Sequence, residues 1–105
     1  MTLEVSYNVY RRIIQFAKTS DKPIPILRYK LSDDISKGDV IKIRSIQNTS
    51  RTKTLVAEVV DIKKYNVNKD SVPYDELKPI YEDYVNVIPK LGQIVIVYVL
   101  SLIHI

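Results

Sequence analysis

The two glycines of this 105-residue chain constrain its fold more than any other feature. Gly38 stands directly before an alternating stretch at 39–44, and Gly92 stands directly before an apolar run at 93–103. Alternation of apolar and polar residues is typical of a half-buried strand. Because glycine adopts a positive φ angle at little cost, we expect each glycine to form a tight turn that leads into a strand.

The other patterns predict the element order β-α-β-β-β-α-β. Pro23 and Pro25 favour an extended segment at a sheet edge, since proline has no N–H to donate. Pro73 suits the first turn of a short helix, and Pro79 is expected to break or kink it. The predicted elements are an extended start at 3–7, a helix at 9–18 capped by Asn8, an extended segment at 24–31, strands at 39–44 and 54–65, a short helix beginning at 74, and a final strand at 93–103.

These elements predict an α+β fold in one domain, residues 1–105. Most neighbouring strands are expected to be antiparallel, and two helices should flank the sheet. With five strands in so short a chain, closure into a small barrel is the economical way to cover both faces and remove edges. The nearly unbroken apolar content of 54–65 predicts that this strand is covered on both faces.

Composition excludes several kinds of site. The chain has no cysteine, so disulfides and thiolate chemistry are ruled out. Its single histidine, His104, is next to the chain end, and two isolated glycines cannot build a phosphate-binding loop. We therefore expect no metal and no cofactor.

The sequence also predicts where the protein is located. Early charges at Glu4 and Arg11 do not resemble a signal peptide, and the apolar run at 94–105 is shorter than the ~20 residues of a membrane helix. An intracellular, cytoplasmic protein is therefore expected.

Charge is distributed unevenly along the chain. Residues 1–64 hold 13 lysines and arginines against 7 acidic residues, whereas residues 65–105 hold 3 against 5. A basic face is the usual electrostatic footprint for a partner that carries phosphates. The alternative is a lysine-rich composition of the kind common in heat-loving microbes, viral or archaeal proteins included.

The best candidates for an anion site lie on or beside the segment 24–31. Lys22, Arg28 and Lys30 can line a phosphate or base pocket, with Arg28 first because its guanidinium offers a planar fork of donors. Tyr29 can stack on a base, although its side chain points opposite to its neighbours and packing inward is the alternative. The competing interpretation of all three cations is a solvated strand face.

Further basic residues lie on the next strand and beyond it. Lys42 and Arg44, with Arg51 and Lys53 on or beside the following hairpin, are expected to extend the same positive surface. For each of them singly, an exposed residue that only adds solubility is the competing interpretation.

The order and spacing of these segments resemble the ASCH family of the PUA-like superfamily over residues 9–103. The anchors are Arg28, the pair Gly38-Asp39, "VAEVVDI" at 56–62 and "DELK" at 75–78. The resemblance implies a PUA-like barrel with a cleft beside it that accepts RNA or a modified nucleobase. Some bacterial relatives hydrolyse acetylated cytidine nucleosides with a lysine, a threonine and a glutamate.

This chain departs from the hydrolase pattern. The lysine corresponds to Lys22, and the acid corresponds loosely to Asp70 or Glu76. The hydroxyl nucleophile falls on Ile26 when counted from Arg28 and on Pro25 when counted from Lys22. Neither side chain can attack a carbonyl.

Three functions follow as hypotheses. The first is a non-enzymatic module that binds RNA or another nucleic acid through the cleft beside Arg28. The second is a small hydrolase for a modified nucleoside. The third is a protein-binding or assembly module that forms a homodimer by pairing its C-terminal strand. A buried salt bridge between Arg28 and Asp39 would favour a structural role for the arginine instead.

Overall fold

A computed structural model describes residues 1–30, 35–47 and 54–102 of the chain. Five strands and two α-helices form the fold, in the predicted order. They are β1 (Thr2–Val5), α1 (Tyr7–Thr19), β2 (Ile24–Arg28), β3 (Val40–Ser45), β4 (Leu55–Asn66), α2 (Tyr74–Tyr81) and β5 (Gln93–Ser101). Two short 3₁₀ turns, Glu82–Tyr84 and Ile88–Lys90, lie between α2 and β5.

The strands form one mixed sheet in the order β1-β3-β4-β5-β2. Only β1 and β3 are parallel, and the other three pairings are antiparallel. The predicted α+β class and mostly antiparallel sheet are therefore confirmed. The predicted barrel is wrong, because among the described strands β1 and β2 remain the two edges of an open sheet.

The edge at β2 is protected without closure. Pro25 has no N–H, and the N–H of Leu27, two residues further, donates to the Tyr81 hydroxyl of α2 at 2.9 Å. The helix α2 thus covers the edge that a barrel would have paired, which removes the need for closure. The prediction of an edge strand from its prolines is confirmed.

The final strand occupies the interior of the sheet. β5 pairs with β4 on one side and with β2 on the other, from Ile24 opposite Val99 to Arg28 opposite Val95. Because both sides of this part of β5 are already paired, its backbone cannot pair with a second copy of the chain. A homodimer remains a prediction, but it needs another surface.

Both helices differ in detail from the sequence prediction. α1 begins at Tyr7, because Ser6 and not Asn8 is the N-cap, and the Ser6 hydroxyl accepts from the N–H of Val9 at 3.3 Å. α2 continues through Pro79 to Tyr81 rather than breaking there. The helix ends two residues after Pro79 and gives way to a 3₁₀ turn.

The two glycine turns are confirmed. Gly38 has φ of 96° and Gly92 has φ of 67°, both in the region that favours glycine. Gly38 donates its N–H to Val59 at 2.7 Å, which fixes the start of β3 against β4. The Asp39 carboxylate accepts from Ser36 at 2.9 Å, so it caps its own turn.

The alternation along the strands gives the sheet an inner and an outer face. The inner face carries the buried apolar residues of the sheet, which belong to one core with Val9, Tyr10 and Ile13 of α1. On β4 the intervening residues, such as Val56 and Glu58, are only half-buried, so the prediction that this strand is covered on both faces is wrong. None of the helices in the described ranges is long and apolar enough to cross a membrane.

Candidate functional site

Two grooves lie near the opposite ends of β2. We call the one at its C-terminal end the basic groove, with a volume of about 280 Å³. It is formed where β2 and β4 end and β5 begins. Its lining residues are Tyr29, Lys30, Lys64, Tyr65, Asn66, Gln93, Ile94 and Val95.

Sheet register places Arg28 beside the basic groove. Arg28 lies opposite Val95, and Val95 lies opposite Lys64 on its other side. Directly opposed residues point to the same face, so the arginine and the lysine flank Val95 at about 10 Å, two strand spacings. Among the described residues, neither Arg28, Lys30 nor Lys64 has an ion-pair partner. Within the described chain, these three charges are therefore available to an anion.

The basic groove also holds aromatic and amide groups. Tyr29 is 62% exposed, so the alternative that it packs inward is wrong. Tyr65 is half-buried beside it in the lining, and Asn66 lies opposite Gln93 in the register. None of the described lining residues is acidic. The groove therefore combines cations, a ring open to stacking, and amides that can donate and accept.

The second groove, the mixed-charge groove, has a volume of about 560 Å³. It lies between the loop before β2, the outer face of β4 and β5, and α2. Two lysines, three carboxylates and a tyrosine line it together with apolar side chains. The residues are Phe16, Lys22, Pro23, Pro25, Asp61, Lys63, Asp75, Glu76, Pro79 and Tyr98.

A β-bulge in β4 gives this groove two of its charges. Register shifts between Val59 and Asp61, so that Asp61 lies opposite Tyr98 and Lys63 opposite Ile96. An extra residue in one strand changes which side chains reach each face. Downstream of the bulge, Asp61 and Lys63 share the outer face with Tyr98, and Lys64 points to the other face.

Tyr98 connects the sheet to α2 inside the mixed-charge groove. Its hydroxyl donates to Glu76 Oε2 at 2.8 Å, and Lys63 Nζ lies 5.5 Å from the centre of its ring. Burial, and then the hydrogen bond to the Glu76 carboxylate, raise the pKa of Tyr98 above its ordinary value of 10.0. Tyr98 therefore stays protonated at neutral pH and holds the carboxylate in place.

Lys22 and Glu76, predicted as a possible catalytic pair, line the same groove as Pro25. The other candidate nucleophile position, Ile26, is fully buried in the core. Neither position offers a hydroxyl. Asp70, the alternative acid, instead accepts from the N–H of Asn66 at 2.7 Å and holds the turn after β4.

Several predicted site residues are not brought together with Arg28. Lys42 and Arg44 lie on β3, which β4 and β5 separate from β2, so they do not extend the positive surface of the basic groove. Arg44 is bound to Glu4 at 2.7 Å. The predicted alternative, a salt bridge of Arg28 with Asp39, is absent from the described residues.

Arg51, Lys53 and His104 lie outside the described residues. Within the described ranges there is no group of three or more histidine, aspartate or glutamate side chains that could hold a metal ion.

Several residues that contribute to these grooves were not predicted from the sequence, among them Lys63, Lys64, Asn66 and Gln93. The adjacent lysines follow strand alternation, so a sequence pattern could assign them to opposite faces. It could not say which face each takes, because the bulge that decides this has no sequence signature here.

Comparison with known proteins finds no family model, no curated sequence and no solved structure that matches this chain.

Proposed function

We propose that the protein is a nucleic-acid-binding module that holds single-stranded RNA in the basic groove. The observation that carries this proposal is that Lys30, Lys64 and the exposed ring of Tyr29 line one groove, with Arg28 directly beside it. None of the three cations has an ion pair among the described residues. Lysine and arginine neutralise phosphates, and aromatic rings accept bases regardless of sequence.

The charge of the lining favours this groove over its neighbour. The mixed-charge groove sets three carboxylates against two lysines, and these carboxylates repel a polyanion. The basic groove has cations only among its described charged lining residues. A phosphate chain therefore gains more by entering the basic groove.

Single-stranded RNA fits better than a duplex. Tyr29 is a platform for an unpaired base, and the opposed amides of Asn66 and Gln93 can hydrogen-bond base edges that a duplex hides. A groove of about 280 Å³ is large enough for a single base but not for a helix.

Fluorescence anisotropy with a labelled single-stranded RNA of about 10 nucleotides tests the proposal. Three neutralised phosphates give a slope of about −2 in log K against log salt, so affinity should fall roughly 20-fold between about 50 and 200 mM salt. Binding that is indifferent to salt, or no binding at the lower concentration, would refute the proposal.

A matched pair of double variants localises the binding. Arg28→Ala with Lys64→Ala and Lys22→Ala with Lys63→Ala each remove two positive charges from a chain of net charge +4. The first pair should reduce the salt slope to about −0.7, because one cation remains. The second pair should leave the slope near −2. Equal losses would show that the effect is net charge rather than a site.

A second candidate function is hydrolysis of an acetylated cytidine nucleoside in the mixed-charge groove. It is favoured by one observation, that Lys22 and Glu76 line the same groove. Since Pro25 offers no nucleophile, Glu76 would activate water while Lys22 polarises the substrate carbonyl.

Chromatography of acetylated cytidine incubated with the pure protein tests this candidate. Turnover should be lost in Glu76→Gln and reduced at least about 100-fold in Lys22→Ala, the range typical of acid–base groups. Lys30→Ala, in the other groove, is the control and should retain full turnover. Absence of product with the unmodified protein eliminates the candidate.

The ASCH resemblance remains a proposal. It is consistent with either function, since it implies a nucleic-acid or nucleobase cleft, but the barrel it implied is replaced by an open sheet.

A further inference from the structure

Part of the outer sheet face is uncovered, and we call it the open face. Register places its side chains in two neighbouring rows across β3, β4 and β5. One row is Val40, Glu58 and Leu100, and the next is Lys42, Val56 and Leu102, where Leu102 continues the pairing by donating its N–H to Val56 at 3.0 Å.

The open face exposes apolar side chains that the rest of the sheet buries. Val40 is 55% exposed, Leu100 38% and Leu102 52%. By contrast, Ile94 and Ile96, which lie on the outer face of β5 like Leu100, are completely buried. Adjacent exposed apolar side chains on one sheet face favour an interaction surface.

Two opposite charges on this face have no partner within the described chain. Lys42 and Glu58 lie on neighbouring strands, one row apart, yet neither makes an ion pair or a side-chain hydrogen bond with another described residue. By contrast, Arg44 on the same strand as Lys42 is bound to Glu4 at 2.7 Å. The unmet pair is self-complementary, because a two-fold axis between the two residues sets each against its opposite in a second copy.

We propose that the open face is a self-association surface whose occupant is a second copy of this chain. In the dimer, Lys42 of each copy faces Glu58 of the other, and Val40, Leu100 and Leu102 become buried between the sheets. The contact is made by faces and not by the edge of the final strand, which β2 and β4 already pair.

The dimer should be weak. Standard interfaces bury about 800 Å² on each partner, which six side chains do not reach. Sedimentation velocity over a wide concentration range should therefore show a reversible monomer–dimer equilibrium. A monomer at every concentration would overturn the proposal.

A charge exchange identifies the contact. Lys42→Glu and Glu58→Lys should each weaken dimerisation about tenfold or more, because each creates two like-charge pairs across the axis. The double variant restores opposite charges and should recover the original dissociation constant. Lys69 is an exposed turn residue outside the open face, so Lys69→Glu, which changes net charge by the same amount as Lys42→Glu, should have little effect. A double variant no better than the single ones overturns the assignment of the two-fold contact.

Discussion

The two grooves differ in charge and in construction, although they lie near the two ends of the same strand, β2. The basic groove lies at the ends of three strands and has lysines, tyrosines and amides. The mixed-charge groove is about twice as large, 560 against 280 Å³, and a helix forms one wall of it. The first suits an extended anion held at several points, and the second suits a small ligand held by groups of both signs.

Residues that are adjacent in the sequence can belong to surfaces of different chemistry. Lys63 and Lys64 are adjacent, yet the first lines the mixed-charge groove and the second lines the basic groove. Strand alternation puts the two lysines on opposite faces, and the bulge decides which face each one takes. A positive stretch in the sequence is thus not equivalent to one positive surface.

The largest effect on stability is expected from a substitution in β2, the strand that lies between the two grooves. Ile26 is fully buried in the centre of β2, and Ile26→Ala should lower the free energy of unfolding by about 2–5 kcal/mol through lost burial and a cavity. Urea denaturation of the two proteins measures this difference in the free energy of unfolding. A cost below about 1 kcal/mol would mean that β2 does not anchor both grooves.

Alkaline pH should reveal how α2 is attached to the edge beside the basic groove. Burial raises the pKa of Tyr81 from 10.0 to about 12, so its contribution to stability is complete below pH 10 and is lost as pH rises towards 12. The loss amounts to ~2–3 kcal/mol, at up to about 1.4 kcal/mol per pH unit.

Tyr81→Phe cannot ionise, so its stability should fall less steeply above pH 10 than that of the unmodified protein. Denaturant titrations over this pH range compare the two slopes. Identical slopes would contradict the buried position of the hydroxyl. Burial also raises the pKa of Tyr98, which acts in the same direction in both proteins.

Introducing an acidic residue into the basic groove, as in the mixed-charge groove, should weaken RNA binding. Lys64→Glu places an acid opposite Val95 and should weaken RNA binding about tenfold, or ~1.4 kcal/mol, with little change in Tm because Lys64 is exposed. Anisotropy and a thermal melt measure the two quantities. A large drop in Tm would indicate a structural role for Lys64 instead.

The smallest effect on stability and RNA binding is expected from a substitution in the mixed-charge groove. Tyr98→Phe removes the hydrogen bond to Glu76 and should cost about 0.5–1.5 kcal/mol of stability. RNA affinity should change little, because Tyr98 does not itself line the basic groove and meets that lining only through Tyr65. A parallel loss of RNA binding would show that the two grooves are coupled.

Local features of the fold could be predicted from the sequence. The turns at Gly38 and Gly92 and the edge position of β2 follow from the backbone limits of glycine and proline, which act within a few residues. Failure of barrel closure could not be predicted, because it depends on Tyr81 reaching the edge at Leu27, 54 residues away along the chain.

The candidate site was predictable only in part. Arg28, Tyr29 and Lys30 could be chosen because they follow one extended segment. Lys64 and Gln93 reach the same groove through pairing between distant strands, so a sequence pattern without the register does not place them there.

Heteronuclear NMR of the labelled protein during titration with single-stranded RNA distinguishes the two grooves as the RNA site, because it observes residues of both in one experiment. We expect the backbone amide signals of Tyr29, Asn66 and Gln93 to shift with increasing RNA, while those of Lys22, Asp75 and Glu76 stay in place. Shifts confined to Lys22, Asp75 and Glu76 would contradict the assignment of RNA binding to the basic groove.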